Sequence, residues 1–162
     1  MTDNRSLETR KLEIRKIEIR KIEEKDRLTV LGMMRVFYSS DAVWSEGSED
    51  IFIRDIDECI SDSPFLNGYV FADTSGCVRG YAMTAHSFST EFGRPCVWIE
   101  DIYLEEGVRG IGAGSAFLDY LKMKYPNSVH RLETEAENSR AVGAYVKNGF
   151  EIIPYREMFR NM

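Results

Sequence analysis
The period of the apolar positions changes along this chain, and each change marks an element. From Asp26 onward, Leu28, Leu31, Met34 and Phe37 or Tyr38 recur every three or four residues, predicting a helix with Asp26 as its N-cap. Ile51, Ile53, Ile56 and Ile60 predict a second amphipathic helix over about Ser48 to Ser61. Then the pattern tightens to strands. Gly68–Ala72 and Val78–Thr84 flank the turn Asp73-Thr-Ser-Gly76 as a hairpin, its second strand running through His86 and Phe88 to a loop at Thr90–Pro95. Trp98, Ile99, Ile102, Tyr103 and Leu104 make the next stretch a central strand.

A glycine-rich turn, Arg109-Gly110-Ile111-Gly112-Ala113-Gly114, ends that strand. Phe117, Leu118, Leu121 and Tyr125 follow at helical spacing. Val129–Glu135 predicts another strand, and Ser139–Asn148 a short helix stopped by Gly149. Phe150–Ile153 and Arg156–Phe159 predict closing strands across Pro154-Tyr155. The expected class is α/β, a mixed sheet of the α+β kind with helices on both faces.

The N-terminus departs from this regularity. Lys11-Leu-Glu-Ile-Arg15 is followed by Lys16-Ile-Glu-Ile-Arg20 and Lys21-Ile-Glu-Glu-Lys25. A period of five suits neither helix nor strand, because one continuous strand would put Leu12 and Ile14 on one face and Ile17 and Ile19 on the other. Residues 1–16 therefore read as an extension carrying a partial repeat, and 17–162 as a single domain.

Composition narrows the classes. The 162 residues suffice for one domain with a real core, at 43% hydrophobic and 30% charged. No apolar run reaches membrane-spanning length and the N-terminus is too charged for a secretory signal, so no membrane partner is expected. A net charge of −6 argues against a nucleic-acid partner. Cys59, Cys77 and Cys96 are odd in number and scattered, which points to a reducing, cytoplasmic setting. Neither His86 nor His130 stands at ligand spacing from a cysteine or another histidine, and no metal is expected.

Strand, glycine turn and helix together make a phosphate cradle. Without Cβ atoms the backbone N–H groups come close to an anion, and the helix N-terminus adds partial positive charge. The P-loop pattern fails because no Lys-Ser or Lys-Thr pair follows the glycines. The dinucleotide fingerprint fails because Ser115 stands where its third glycine belongs.

The turn instead resembles the acetyl-coenzyme A signature of the GNAT N-acetyltransferase family, Arg/Gln-x-x-Gly-x-Gly/Ala, matched by Arg109, Gly112 and Gly114. Downstream, Asn138-Ser-Arg140-Ala141 and Tyr145-Val-Lys147-Asn148-Gly149-Phe150 are similar to the family's N-x-x-A … Y-x-x-x-G-F pattern. Two motifs in the right order are far more specific than one glycine loop. The resemblance covers roughly residues 17–160 and implies the acyl-CoA N-acyltransferase fold with acetyl-CoA as cofactor.

Acetyl transfer from a thioester to an amine needs an anionic cofactor held, an amine made neutral and a departing thiolate given a proton. The N–H groups from Gly110 through Ile111, Gly112, Ala113 and Gly114 to Ser115 would face the pyrophosphate. Arg109, Arg140 and Lys147 are basic candidates by position, each equally readable as a solvated surface charge. In the family the central strand splays from its neighbour and the pantetheine arm takes the freed groups. By resemblance these belong to Ile102, Tyr103 and Leu104, with the Leu104 N–H polarising the thioester carbonyl. The resemblance also gives Asn138 a bond to the arm and makes Tyr145 the proton donor, although a tyrosine on an amphipathic helix also reads as core.

Trp98-Ile-Glu100-Asp101-Ile-Tyr103 resembles the L-E-D-F-F-V strand of the diamine acetyltransferases, whose Glu is the proposed base. Glu100 is accordingly the expected base and Asp101 a structural or substrate-binding group, on opposite faces if the strand alternates strictly. A structural pairing or capping role for Glu100 remains the competing reading. Eight acidic residues between Asp41 and Asp62 face the single base Arg54. They fit a small, cationic, polyamine-like acceptor or simply a solvated helix face. The alternatives are a protein N-terminus, a lysine or an aminoglycoside as acceptor, or a non-catalytic acetyl-CoA sensor. Relatives that pair through their C-terminal strands make a homodimer the expected assembly.

Overall fold
The computed structural model describes residues 17–161. The first copy of the repeat, Lys11–Arg15, and the extension assigned to residues 1–16 lie outside the described residues. Strands β1 (Glu18–Lys21), β2 (Leu66–Ala72), β3 (Val78–Ser89), β4 (Arg94–Leu104) and β5 (Val129–Leu132) form one sheet in chain order. The first three pairings are antiparallel and β4–β5 is parallel. Helices α1 (Arg27–Tyr38), α2 (Glu49–Ile60), α3 (Ala113–Lys124) and α4 (Ser139–Lys147) complete the fold, α3 serving as the crossover that a parallel pair requires.

Alternation along the strands builds two core layers. β2 sends Val70 to one face, where it meets Val30 and Met34 of α1 and Phe52 and Ile56 of α2. It sends Tyr69 and Phe71 to the other, against Phe117 and Leu121 of α3. Phe117 has no exposed surface, and its burial contributes about 2–3 kcal/mol. In α2 the buried face is Phe52, Ile56 and Cys59, whereas Ile51 and Ile53 are exposed; in α1, Leu28 likewise points to water. Asp26 does not cap α1 with its side chain. Its carboxylate accepts from both terminal guanidinium nitrogens of Arg20 (2.6 and 2.8 Å) and from the Glu23 N–H (2.9 Å), tying the end of β1 to the start of α1.

β4 contains a bulge. Thr84 pairs with Ile99 and Met83 with Asp101, so Glu100 has no partner in β3. Before the bulge Val97 and Ile99 join the α3 layer; after it Ile102 and Leu104 do. Asp101 and Tyr103 consequently turn to the α1 side, where they meet Tyr38 and Phe37. Strict alternation would instead have aligned Asp101 with Ile99, among Phe117 and Leu121, and a carboxylate buried there without a partner costs several kcal/mol.

The expected closing strands do not form. Gly149, at φ 87°, stops α4 as expected, and residues 150–161 then run without regular secondary structure. Pro154 removes a ladder donor from the middle of the run, and Ile152, Tyr155 and Phe159 find no layer to bury them. β5 itself ends at Leu132, short of Glu135, and offers only four residues of edge. Side-chain contacts hold the C-terminal segment. The Tyr155 hydroxyl donates to Glu91 of the β3–β4 loop (2.9 Å), and Phe159 meets Trp44 edge-on at 5.0 Å between centroids.

Candidate active site
β5 stops opposite Ile99 while β4 runs on to Leu104, leaving one edge of β4 open. Its main-chain groups alternate. The Glu105 N–H donates to the Arg79 carbonyl (2.9 Å), and the Leu104 carbonyl accepts from Arg109 Nε (2.7 Å) on the opposite side. Ile102 and Leu104 thus turn their backbone toward the open edge, and Tyr103 turns its own toward β3. Of the three residues expected to hold a pantetheine arm, Tyr103 drops out as a main-chain ligand. Its ring stacks on Tyr81 at 6.0 Å and lies 5.8 Å beneath the Arg109 guanidinium.

At the end of that edge the glycine turn leads into α3. Gly110 (φ 76°) and Gly112 (φ 96°) both occupy the left-handed region that side chains disfavour. A Cβ on Gly112 or Gly114 would meet nothing within 4 Å, so the concavity is bounded by backbone and open in front. At Gly110 the nearest group would be the Arg140 guanidinium at 3.6 Å, which brings a positive charge over the turn. Ser115 in the first turn of α3 is held by Asn148 Nδ2 at 3.0 Å, fixing α4 beside the cradle. Asn138 Oδ1 caps α4 by accepting the Ala141 N–H (3.2 Å), which leaves only its amide nitrogen to donate. Lys147 is exposed on the last turn of α4. These parts fit a pyrophosphate-bearing coenzyme: paired left-handed glycines, an α3 N-terminus, a guanidinium above them and unpaired strand donors beyond.

Tyr145 lies on the α3 side of the sheet, in the same apolar cluster as Ile102, Leu104 and Leu132, its ring 5.8 Å from Phe150. Burial pushes its hydroxyl above the ordinary phenol range. On the α1 side stand the carboxyls. Asp101 is 4% exposed, with Oδ1 accepting from the Tyr38 hydroxyl (3.1 Å) and Oδ2 from the Tyr81 hydroxyl (3.0 Å). Both oxygens are engaged by tyrosine hydroxyls and the residue is buried, an arrangement that fits the structural of its two expected roles. Glu100 is exposed at the bulge; desolvation by its surroundings, and then the charges of Asp101, Glu157 and Asp55, push its carboxyl up. Strict alternation thus misplaces the pair, since both carboxylates gather near Asp55.

Glu133, just past β5, is pushed up to about 7, first by burial and then by a shared hydrogen bond and charge with Glu157, with Glu100 adding and Arg131 opposing. The acidic run of residues 41–62 contributes less than its length implies. Glu49 pairs with Arg35, Asp57 with Arg27 and Glu58 with Ser63, and Asp55 is the member that acts on Glu100 and Asp101. Tyr38, Tyr81, Glu133 and Glu157 carry no local motif and escape a reading of the sequence.

Asp101 has a measurable consequence. Burial, reinforced by Asp55 and partly offset by the two tyrosines, lifts its carboxyl from 3.8 to about 6. The unfolded chain loses this proton first, so the folded state is penalised as pH rises through 3.8, and the penalty is complete above about 6. Asp101→Asn should be more stable than the parent by up to about 3 kcal/mol at pH 8, with most of that gain absent at pH 4. Urea titrations at the two pH values test this; an equal gain at both would refute it.

The chain belongs to the acetyltransferase (GNAT) family, whose model matches residues 30–150. Members use acetyl-CoA as donor, and the protein is an N-acetyltransferase. Its fold is similar to that of a possible acetyltransferase from Clostridium difficile 630, at 21% identity and TM-score 0.75, covering 90% of this chain and 97% of that one. It is also similar to the aminoglycoside N-acetyltransferase AAC(6')-Iy in complex with the bisubstrate analogue CoA-S-monomethyl-acetylneamine. There the identity is 16% and the TM-score 0.71, over 91% of this chain and 99% of that one. No curated protein matches the chain significantly. Among the described residues no helix is long and apolar enough to cross a membrane, and no group of acidic, histidine and cysteine side chains is arranged to hold a metal.

Proposed function
We propose that residues 17–162 form one catalytic domain that acetylates a primary amine of a small, cationic, polyamine-like acceptor, with Glu100 as base and Tyr145 as acid. The observation that carries this is the gathering of Glu100, Asp101, Asp55, Glu133 and Glu157 from four separate segments around the open edge of β4. Burial first, and then the charge of neighbouring carboxylates, pushes Glu100, Asp101 and Glu133 up, and a cationic acceptor would relieve that charge. Bound acetyl-CoA supplies the activated acetyl thioester. The glycine turn from Gly110 to Ser115 holds its diphosphate with Arg140, Arg109 and Lys147 as countercharges. Ile102 and Leu104 offer their N–H groups to the arm, that of Leu104 to the thioester carbonyl, and Asn138 adds its amide nitrogen.

Glu100 accepts a proton from the acceptor's ammonium on the α1 side, and Tyr145 donates one to the thiolate on the α3 side. The base and the acid thus stand across the sheet from each other with the open edge between. Tyr145→Phe keeps the contact with Phe150 and removes the proton; kcat should fall about 100-fold with acetyl-CoA affinity retained. A rate within threefold of the parent, read with the same comparison of kcat and KM at about saturating donor, would remove that role.

Thiol release from acetyl-CoA, followed with spermidine, putrescine, lysine, neamine and a short peptide, tests the acceptor. Turnover should favour the two polyamines. A preference for neamine would make the acceptor an aminoglycoside, and activity on the peptide alone would mean a protein substrate.

A further inference from the structure
We propose that Asp101 is a positioning residue for acetyl transfer: clamped between the hydroxyls of Tyr38 and Tyr81, it pins the β4 bulge and so holds Glu100 out of the sheet at the open edge. The inference rests on Glu100 as the base. Three observations meet here. The bulge falls at Glu100, which alone lacks a partner in the stretch of β4 paired with β3. The residue immediately after it is the buried acid, with Tyr38 from the last turn of α1 and Tyr81 from β3 on its two oxygens. The apolar spacing on either side, Val97 and Ile99 before and Ile102 and Leu104 after, keeps the α3 layer filled only while that extra residue is present.

The clamp therefore decides which way β4 faces. With Asp101 on the α1 side, the donors of Ile102 and Leu104 reach the open edge and Glu100 is left outside the ladder. Without it, nothing polar holds residue 101 on that side, and β4 is free to relax into an unbroken ladder that draws Glu100 back into the pairing. Asp101 also sets the field at Glu100, together with the other groups that face the pair. These are Tyr38 on α1, Asp55 and Cys59 on α2, Tyr81 on β3, Glu133 beyond β5 and Glu157 in the C-terminal segment.

The test compares Asp101→Asn, which can still bond both tyrosines, with Asp101→Ala, which cannot. In the free protein the Glu100 side-chain carboxyl is titrated by carbon-13 NMR, its signal assigned by its loss in Glu100→Gln, and amide exchange is followed at residues 99–102. In Asp101→Asn the Glu100 midpoint should move to lower pH and the amides should stay protected. In Asp101→Ala the amides should exchange faster. With spermidine as probe, kcat in Asp101→Ala should drop about tenfold or more with acetyl-CoA affinity retained, and Asp101→Asn should recover most of that loss with its acid limb shifted down. An unmoved Glu100 midpoint in Asp101→Asn, or amides equally protected in both variants, overturns the proposal. Full activity in Glu100→Gln would overturn the base assignment instead, while the two free-protein measurements still judge the clamp.

Discussion

With Glu100 as base, Glu100→Gln should lose about 1,000-fold in kcat/KM toward spermidine at neutral pH, and the loss should shrink about tenfold for each unit of added alkalinity. An alkylamine with a lysine-like pKa of about 10.4 is roughly three units above neutral, so about 4 kcal/mol separates the ammonium from the amine that can attack. In the proposed mechanism this is met through the Glu100 carboxylate at the open edge of β4, pushed up by burial and then by Asp101, Glu157 and Asp55. Glutamine has the same shape and no basicity, and the variant can use only the acceptor that is already neutral. Its rate should climb with pH until the amine's own pKa, while the parent's acid limb lies above the ordinary glutamate range. Steady-state rates from pH 6 to 10 check both slopes. A loss that does not change with pH would make Glu100 a binding group; no loss at all would leave the base elsewhere.

Gly112→Val keeps the fold and loses the donor. Acetyl-CoA affinity should fall about 100-fold or more, since each charge-assisted bond to a diphosphate is worth roughly 1.5–3 kcal/mol and more than one N–H is displaced. Nothing stands within 4 Å of the position a Cβ would take, so the packing behind the turn tolerates the side chain. The backbone does not. At φ 96° a β-branched residue costs about 1–3 kcal/mol, and relief of that strain turns the N–H groups at the start of α3 away from the anion. Calorimetric titration with acetyl-CoA reads the loss. Gly143→Ala, an open position on α4 with ordinary φ, serves as the control and should bind as the parent does. Retained affinity in Gly112→Val would move the diphosphate away from this turn.

How far these roles were legible in the sequence depends on how local each signal is. The hairpin, α3, α4 and the stop at Gly149 were legible because period and punctuation fall within a few residues of each other. The glycine turn that opens α3 was legible for the same reason. Closing strands after Gly149 were the failure: apolar residues are present at 150–159, but a strand also needs an edge to pair with and a layer to cover, and β5 supplies only four residues of one. The bulge did leave a mark. Val97 and Ile99 are two apart, as are Ile102 and Leu104, yet Ile99 and Ile102 are three apart, which is the spacing one extra residue produces. The partners of Asp101 left none. Tyr38 is 63 positions away and Tyr81 is 20, and no pattern along the chain links them before the sheet forms.

The segment after α4 also makes the protein its own reporter. The chain has two tryptophans, and Trp98 is half-buried beneath the Arg131 guanidinium at 5.0 Å. Trp44, in contrast, is 77% exposed and meets the ring of Phe159 edge-on. Once Trp98 is changed to phenylalanine, the remaining indole emits from the place where the C-terminal segment crosses to the α1–α2 loop. Its colour then depends on whether Phe159 or water lies against it, so any release of that strand-less tail would be read by its own light, with no dye attached.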